Sequence, residues 1–130
     1  MKGIENAVVK KRILVVDDEP HILELVKISL EGDHFEILQA ANGDEGLKLA
    51  GQKHPDLILL DIQMPGMDGY EVCRKLKTTK ETEAIPVLIL TSKDKPVDKE
   101  RWRDSGASAY LTKPFSPLKL LAVVKEQLKP

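Results

Sequence analysis

One cysteine in 130 residues leaves no partner for an internal disulfide and rules out a multi-cysteine zinc site. That residue, Cys73, stands beside Val72 and in step with Leu76 in a helical pattern, where a buried, inert thiol is expected. A surplus of charge of one sign is missing too. Twenty Lys and Arg against 21 Asp and Glu give a formal net charge of -1. This balance argues against a fold-wide grip on nucleic acid and against a polybasic membrane anchor. No apolar run approaches membrane-spanning length, and the polar stretch 1–12 has no signal-peptide core. A soluble cytoplasmic protein is the expectation. Phosphate-cradling glycine patterns are also lacking, with neither G-x-G-x-x-G nor G-x-x-x-x-G-K-[ST] present. A flavin or nucleotide binder would need such a loop, and here its phosphate would meet an acidic first loop instead.

What is present is an alternation of short apolar runs and helical patterns. Arg12–Val16 reads as a strand, followed by a helix from about Pro20 to Leu30, with Ile22, Val26 and Leu30 at fourfold spacing. Phe35–Ala40 is a second strand, and Asn42-Gly43 opens a helix that the His54-Pro55 break closes. Asp56–Leu60 and Pro86–Leu90 read as fully buried strands, with a helix through Val72, Cys73 and Leu76 between them. Val97–Ser105 is helical but mostly charged, Ala109–Leu111 gives a short fifth strand, and Ser116-Pro117 starts a last helix running to about Leu128. Five β-α units imply an α/β fold: a parallel sheet with helices on both faces, in the flavodoxin-like strand order 2-1-3-4-5. A single domain over 1–130 is expected, its core spanning about 12–128.

In such a sheet a ligand sits outside the carboxyl ends of the strands. Four runs end there in polar groups: Asp17-Asp18, Asp61, Thr91-Ser92 and Thr112-Lys113. Two carboxylates about 4 Å apart repel by roughly 4 kcal/mol at an effective dielectric near 20, so such a cluster calls for raised pKa values or a cation. A hard divalent ion fits, because Mg²⁺ favours one or two carboxylates, waters and a phosphate oxygen. Lys113 adds a positive point charge and Thr91 a hydroxyl, so that a carboxylate could attack phosphorus in line and form an acyl phosphate.

These pieces resemble the receiver domain of two-component response regulators over nearly the whole chain. The resemblance rests on LVVDDEP ending in Asp17-Asp18-Glu19-Pro20, LILLDIQMPGMDG around Asp61, Thr91-Ser92 after PVLIL, and YLTKPF containing Lys113-Pro114. It implies that Asp61 is the phosphoacceptor and that Asp18 and Asp61 ligate Mg²⁺ (or Mn²⁺) directly. Asp17 would act through water, and the backbone carbonyl of Gln63 would complete the set. It further implies that Lys113 holds the phosphoryl group and that Lys113-Pro114 is cis. Thr91 and Tyr110 would be switch residues, with Tyr110 turning inward. The partners so implied are a histidine kinase or a histidine phosphotransfer protein, and a downstream protein docked on the fourth helix, fifth strand and fifth helix. Neither nucleic acid nor membrane is an expected partner. The domain would signal rather than act as an enzyme on outside substrates.

Other residues have blander readings. His21, His34 and His54 lack ligand spacing and suit surface or packing roles. Met64 and Met67 suit packing, and Gly66 and Gly69 suit the turn after the third strand. Gln63 and Lys93 stand where the family tunes phosphoryl lifetime. Gln63 also argues against a dehalogenase-type phosphatase, which needs a second Asp there. A metal-independent docking module is the remaining rival, opposed by the intact Asp61, Thr91 and Lys113. Ser108, Ala109, Lys119 and Val123 stand where receivers fused to winged-helix domains carry charge-paired dimer contacts. The expectation is therefore a monomer when unphosphorylated, with dimerisation on phosphorylation left open. In the last helix Leu120, Leu121, Val124 and Leu128 form the core stripe, and Leu118 and Val123 fall outside it. With no output region after Lys129-Pro130, a stand-alone receiver is favoured over the excised receiver of a longer regulator or hybrid kinase.

Overall fold

The computed structural model describes residues 10–32, 34–66, 68–92, 94 and 97–129. Met67, Lys93 and Pro130 of the sequence reading lie outside the described residues. The elements in order are β1 (Lys11–Val16), α1 (Pro20–Leu30), β2 (Phe35–Ala40), α2 (Gly43–Lys53), β3 (Leu57–Asp61), α3 (Gly69–Lys77), β4 (Val87–Ser92), α4 (Lys99–Ser105), β5 (Ala109–Lys113) and α5 (Pro117–Gln127). All strand pairs are parallel, and the sheet order is β2-β1-β3-β4-β5. This is the flavodoxin-like arrangement expected from the sequence.

Successive strand residues point to opposite faces, so two cores share the sheet. Leu14, Val16, Ile58, Leu60, Val87 and Ile89 face α2 and α3, where Ala50, Val72, Cys73 and Leu76 close the packing. Ile13, Val15, Leu57, Leu59, Leu88 and Leu90 face α1 and α5, meeting Ile22, Val26, Leu30, Leu120 and Val124. Burial on both faces explains why β1, β3 and β4 carry apolar residues without alternation.

Three strands run further toward the carboxyl edge than their apolar runs suggest. Asp61 is the last residue of β3, Thr91 and Ser92 belong to β4, and Thr112 and Lys113 belong to β5. Main-chain pairing continues after the side chains turn polar: Thr91 lies opposite Thr112, and Ser92 opposite Lys113. The helix expected from Val97 starts at Lys99 instead, because Asp98 caps it, its Oδ1 accepting from the N–H groups of Glu100 and Arg101. Val123 is corrected as well: it is partly buried and packs on the α1/α5 core, whereas Leu118 stays 80% exposed.

Candidate functional site

Each group at the carboxyl edge is held by a different local device. β1 delivers Asp17, whose Oδ1 accepts the Glu19 N–H at 2.9 Å, a short turn that leads into α1. β3 delivers Asp61, whose Oδ1 accepts the Gln63 N–H at 3.1 Å. Gly69 lets the loop fold back against this point: its N–H donates to the Ile62 carbonyl at 3.1 Å, and an added Cβ would overlap the backbone of Asp61 and Ile62. Gly66 turns the same loop at φ +86°, a conformation that suits glycine. The chain then enters α3, capped by Asp68, whose Oδ1 accepts from Glu71.

β5 brings Lys113 across. Its Nζ lies 2.7 Å from Asp17 Oδ2, 3.0 Å from Glu19 Oε1 and 3.7 Å from Asp61 Oδ2. The Glu19 contact is a hydrogen bond. The approach to Asp17 Oδ2 is the shortest of the three, a buried ion pair. The peptide Lys113-Pro114 that follows is cis.

Burial dominates the electrostatics. Asp61 is 4% exposed, and burial together with the negative charge of Asp17 pushes its pKa up to about 7, against the opposing pull of the Gln63 N–H and Lys113. Burial also raises Asp17, although Lys113 works against it. Glu19, half exposed, is held below the ordinary carboxylate range by its hydrogen bond to Lys113. Burial pulls the Lys113 ammonium down, but the carboxylates of Asp17, Glu19 and Asp61 outweigh it and raise the net value. The cluster thus holds more acid than one lysine neutralises.

Carboxylate oxygens of Asp17, Glu19 and Asp61 all lie within 4.8 Å of one another. This all-oxygen set, which carries three carboxylates against one ammonium, fits a hard divalent cation. The sequence reading named Asp17 and Asp61, which the structure brings together, and Asp18, whose side chain is exposed and outside that group. Asp18 is near enough for its charge to raise Asp61. Glu19 was missed as a site residue. Its signal in the sequence is its place in the acidic run Asp17-Asp18-Glu19, with a long acidic side chain at a helix N-cap position where shorter ones are preferred.

Thr91 is buried beside Asp61 on the next strand, with its Oγ1 3.3 Å from Thr112 Oγ1. Tyr110 is 53% exposed, and its ring meets Trp102 of α4 edge-on at 5.5 Å. Between these residues lies a cleft of about 430 Å³, lined by Thr91, Val97, Trp102, Tyr110 and Thr112 among others. Outside the site, Cys73 is buried, donates to the Ser105 carbonyl at 3.2 Å, and has its thiol pKa raised by burial. Met64 lies in the core. His34 is exposed, His54 terminates α2 in a left-handed conformation, and His21 lies 3.4 Å from Glu19 at the rim.

Residues 13–125 match the family model for the response regulator receiver domain. The chain is 46% identical over 118 residues to the DNA-binding dual master transcriptional regulator RpaA of Synechocystis, covering 91% of this chain and 49% of that protein. It is 43% identical over 117 residues to protein PilH of Pseudomonas aeruginosa, covering 90% and 97% respectively. The chain therefore spans about half the length of some curated relatives and nearly all of another. Among solved structures, the Vibrio cholerae chemotaxis protein CheY4 superposes with a TM-score of 0.86 at 32% identity, covering 92% of this chain and all of that one.

Proposed function

The chain belongs to the response regulator receiver family, and on that premise we propose that it is a phosphorylation switch whose acceptor is Asp61. The observation that carries this reading is the placement of Asp61. It is a buried strand-end carboxylate, its pKa pushed up to about 7, with the charge of Asp17 close by and an ammonium 3.7 Å away. The donor would be a histidine kinase or a histidine phosphotransfer protein. Asp18, Asp61 and the Gln63 carbonyl would hold Mg²⁺ or Mn²⁺, with Asp17 acting through water; Glu19 adds a further carboxylate to that neighbourhood. When bound, the cation neutralises the acidic cluster and offsets the charge of the incoming phosphoryl group.

The chain's own residues do the rest. An oxygen of Asp61 attacks phosphorus as the phosphorus–nitrogen bond of a phosphohistidine breaks, its electron pair leaving on the imidazole. An aspartyl phosphate forms, and water returns it to the carboxylate and inorganic phosphate. Lys113 binds a phosphoryl oxygen through its ammonium, and Thr91 donates its hydroxyl to another. With Thr91 drawn toward Asp61, Tyr110 leaves its exposed position for the cleft beside Trp102. The surface of α4, β5 and α5 then changes for a downstream protein. No turnover of outside substrates is part of this reading. The domain covers 1–130, with its core at about 12–128.

No helix among the described residues is long and apolar enough to cross a membrane, which is compatible with the cytoplasmic site of action proposed here. A stand-alone receiver is supported by the 97% coverage of PilH. A receiver attached to an output region is the second reading, supported by the 49% coverage of RpaA.

Intact mass after incubation with acetyl phosphate tests the acceptor. The expected result is one phosphoryl adduct on the wild type that requires Mg²⁺ and is absent from Asp61→Ala. An adduct that persists in Asp61→Ala places the acceptor elsewhere.

A further inference from the structure

Glu19 occupies the N-cap of α1, a position that prefers Ser, Thr, Asp or Asn because a short side chain can reach back to the first free N–H groups. Its side chain makes no capping hydrogen bond. It extends instead to Lys113, 94 residues away in sequence, accepting a hydrogen bond from Nζ at 3.0 Å. Of the three carboxylates around that ammonium it alone reaches solvent, with a side chain 45% exposed against 0% for Asp17 and 6% for Asp61. Lys113 thus sits between the buried Asp17, its shortest contact at 2.7 Å, and this outer carboxylate at 3.0 Å. The longest of its three carboxylate contacts is the one to Asp61.

We propose that Glu19 is a positioning residue for Lys113: it holds the ammonium to the Asp17 side of the site until a phosphoryl group on Asp61 draws it away. This deepens the receiver reading and rests on it. Two opposed consequences come from one carboxylate. Lying within 4.8 Å of oxygens of Asp17 and Asp61, it adds attraction for a divalent cation. It also competes with the phosphoryl group for Lys113 and repels an anionic donor. Removing its charge therefore weakens cation binding and speeds phosphoryl uptake once the cation is saturating. A side chain that merely supported the fold would not move these two quantities in opposite senses.

Glu19→Gln and Glu19→Asp, made in the full chain, test this against the wild type. Mg²⁺ affinity is measured by calorimetry with no phosphoryl donor present, and single-turnover uptake from acetyl phosphate is measured at saturating Mg²⁺. For Glu19→Gln the dissociation constant for Mg²⁺ should rise, and the saturated uptake rate should increase, each by about two- to fivefold, the range released by one half-exposed ion pair. Glu19→Asp keeps the charge but is one methylene shorter and is drawn to cap α1. It should bind Mg²⁺ more tightly than Glu19→Gln, because the charge stays near the cluster, yet take up phosphate faster than the wild type. Saturated rates that are unchanged or lower in both variants overturn the positioning role while leaving Asp61 as acceptor. A wild type that takes up no phosphoryl group at any Mg²⁺ concentration overturns the receiver reading itself.

Discussion

Asp61 stands where its negative charge is costly. A carboxyl buried to 4% exposure beside another buried acid keeps its proton up to about pH 7, whereas its ordinary value is 3.8. The folded protein therefore binds this proton more tightly than the unfolded chain does. The stability gained from protonation is fully present below the ordinary value and is lost as pH rises through about 7. Above that the ionised cluster opposes the fold. Replacing Asp61 by Asn should accordingly stabilise the cation-free protein by about 1–3 kcal/mol at pH 8. The gain should shrink at pH 5, and again when Mg²⁺ is supplied to the wild type. Thermal melts at the two pH values check this, and an Asn variant that melts lower at pH 8 would contradict the picture of a strained ionised pair. Asp17, Asp61, Thr91 and Lys113 were legible in the sequence because each ends or closely follows an apolar run, and β-α alternation sends all such ends to one edge. Glu19 was not legible. Its role depends on a choice between a neighbouring helix end and a lysine 94 residues away, and spacing does not record that choice.

At the scale of elements, α4 differs from the other helices in what holds it. One buried residue, Ser105, and a partly buried Trp102 give it little apolar anchoring. Polar contacts take over. Arg101 Nη2 pairs with Asp68 Oδ2 at 2.6 Å, its guanidinium lies 4.7 Å from the centre of the Tyr70 ring, and the Tyr70 hydroxyl accepts from the Asp98 N–H at 3.0 Å. These contacts tie the first turn of α4 to the start of α3, in the segment that directly follows Asp61. Arg101→Ala should leave global stability within about 1 kcal/mol, since the pair is largely exposed. It should nevertheless loosen α4 locally. Amide exchange across 99–105 should quicken by about tenfold, and emission from Trp102 should shift toward that of a solvated indole. Unchanged exchange would mean that Trp102 alone docks the helix. The sequence showed that this segment is charged and thinly anchored, but not that the charges are spent on a specific clamp. Strand ends were misjudged for a related reason. Apolarity stops where the buried layer stops, while main-chain pairing continues through Asp61, Ser92 and Lys113.

For the molecule as a whole, the sheet is the shared wall of two cores, so neither can come apart alone. Leu59 faces α1 and α5 while Leu60, its neighbour, faces α2 and α3, and both are fully buried. Truncating either to Ala should cost about 2–5 kcal/mol. In both variants far-UV circular dichroism and Trp102 fluorescence should lose their signals at one urea concentration, as expected of a single cooperative unit. Separate transitions would show two independently stable halves. The register of the sheet has a longer reach than stability. With Asp61 opposite Leu90, Thr91 opposite Thr112 and Ser92 opposite Lys113, the spacing of the proposed reacting groups is set by hydrogen bonds between main chains. Backbone pairing is indifferent to which side chains cover the outside. A lineage can therefore rewrite its exposed helices, and with them the company it keeps, without solving the chemistry again. The Vibrio cholerae chemotaxis protein CheY4, 32% identical to this chain, keeps the same fold at a TM-score of 0.86.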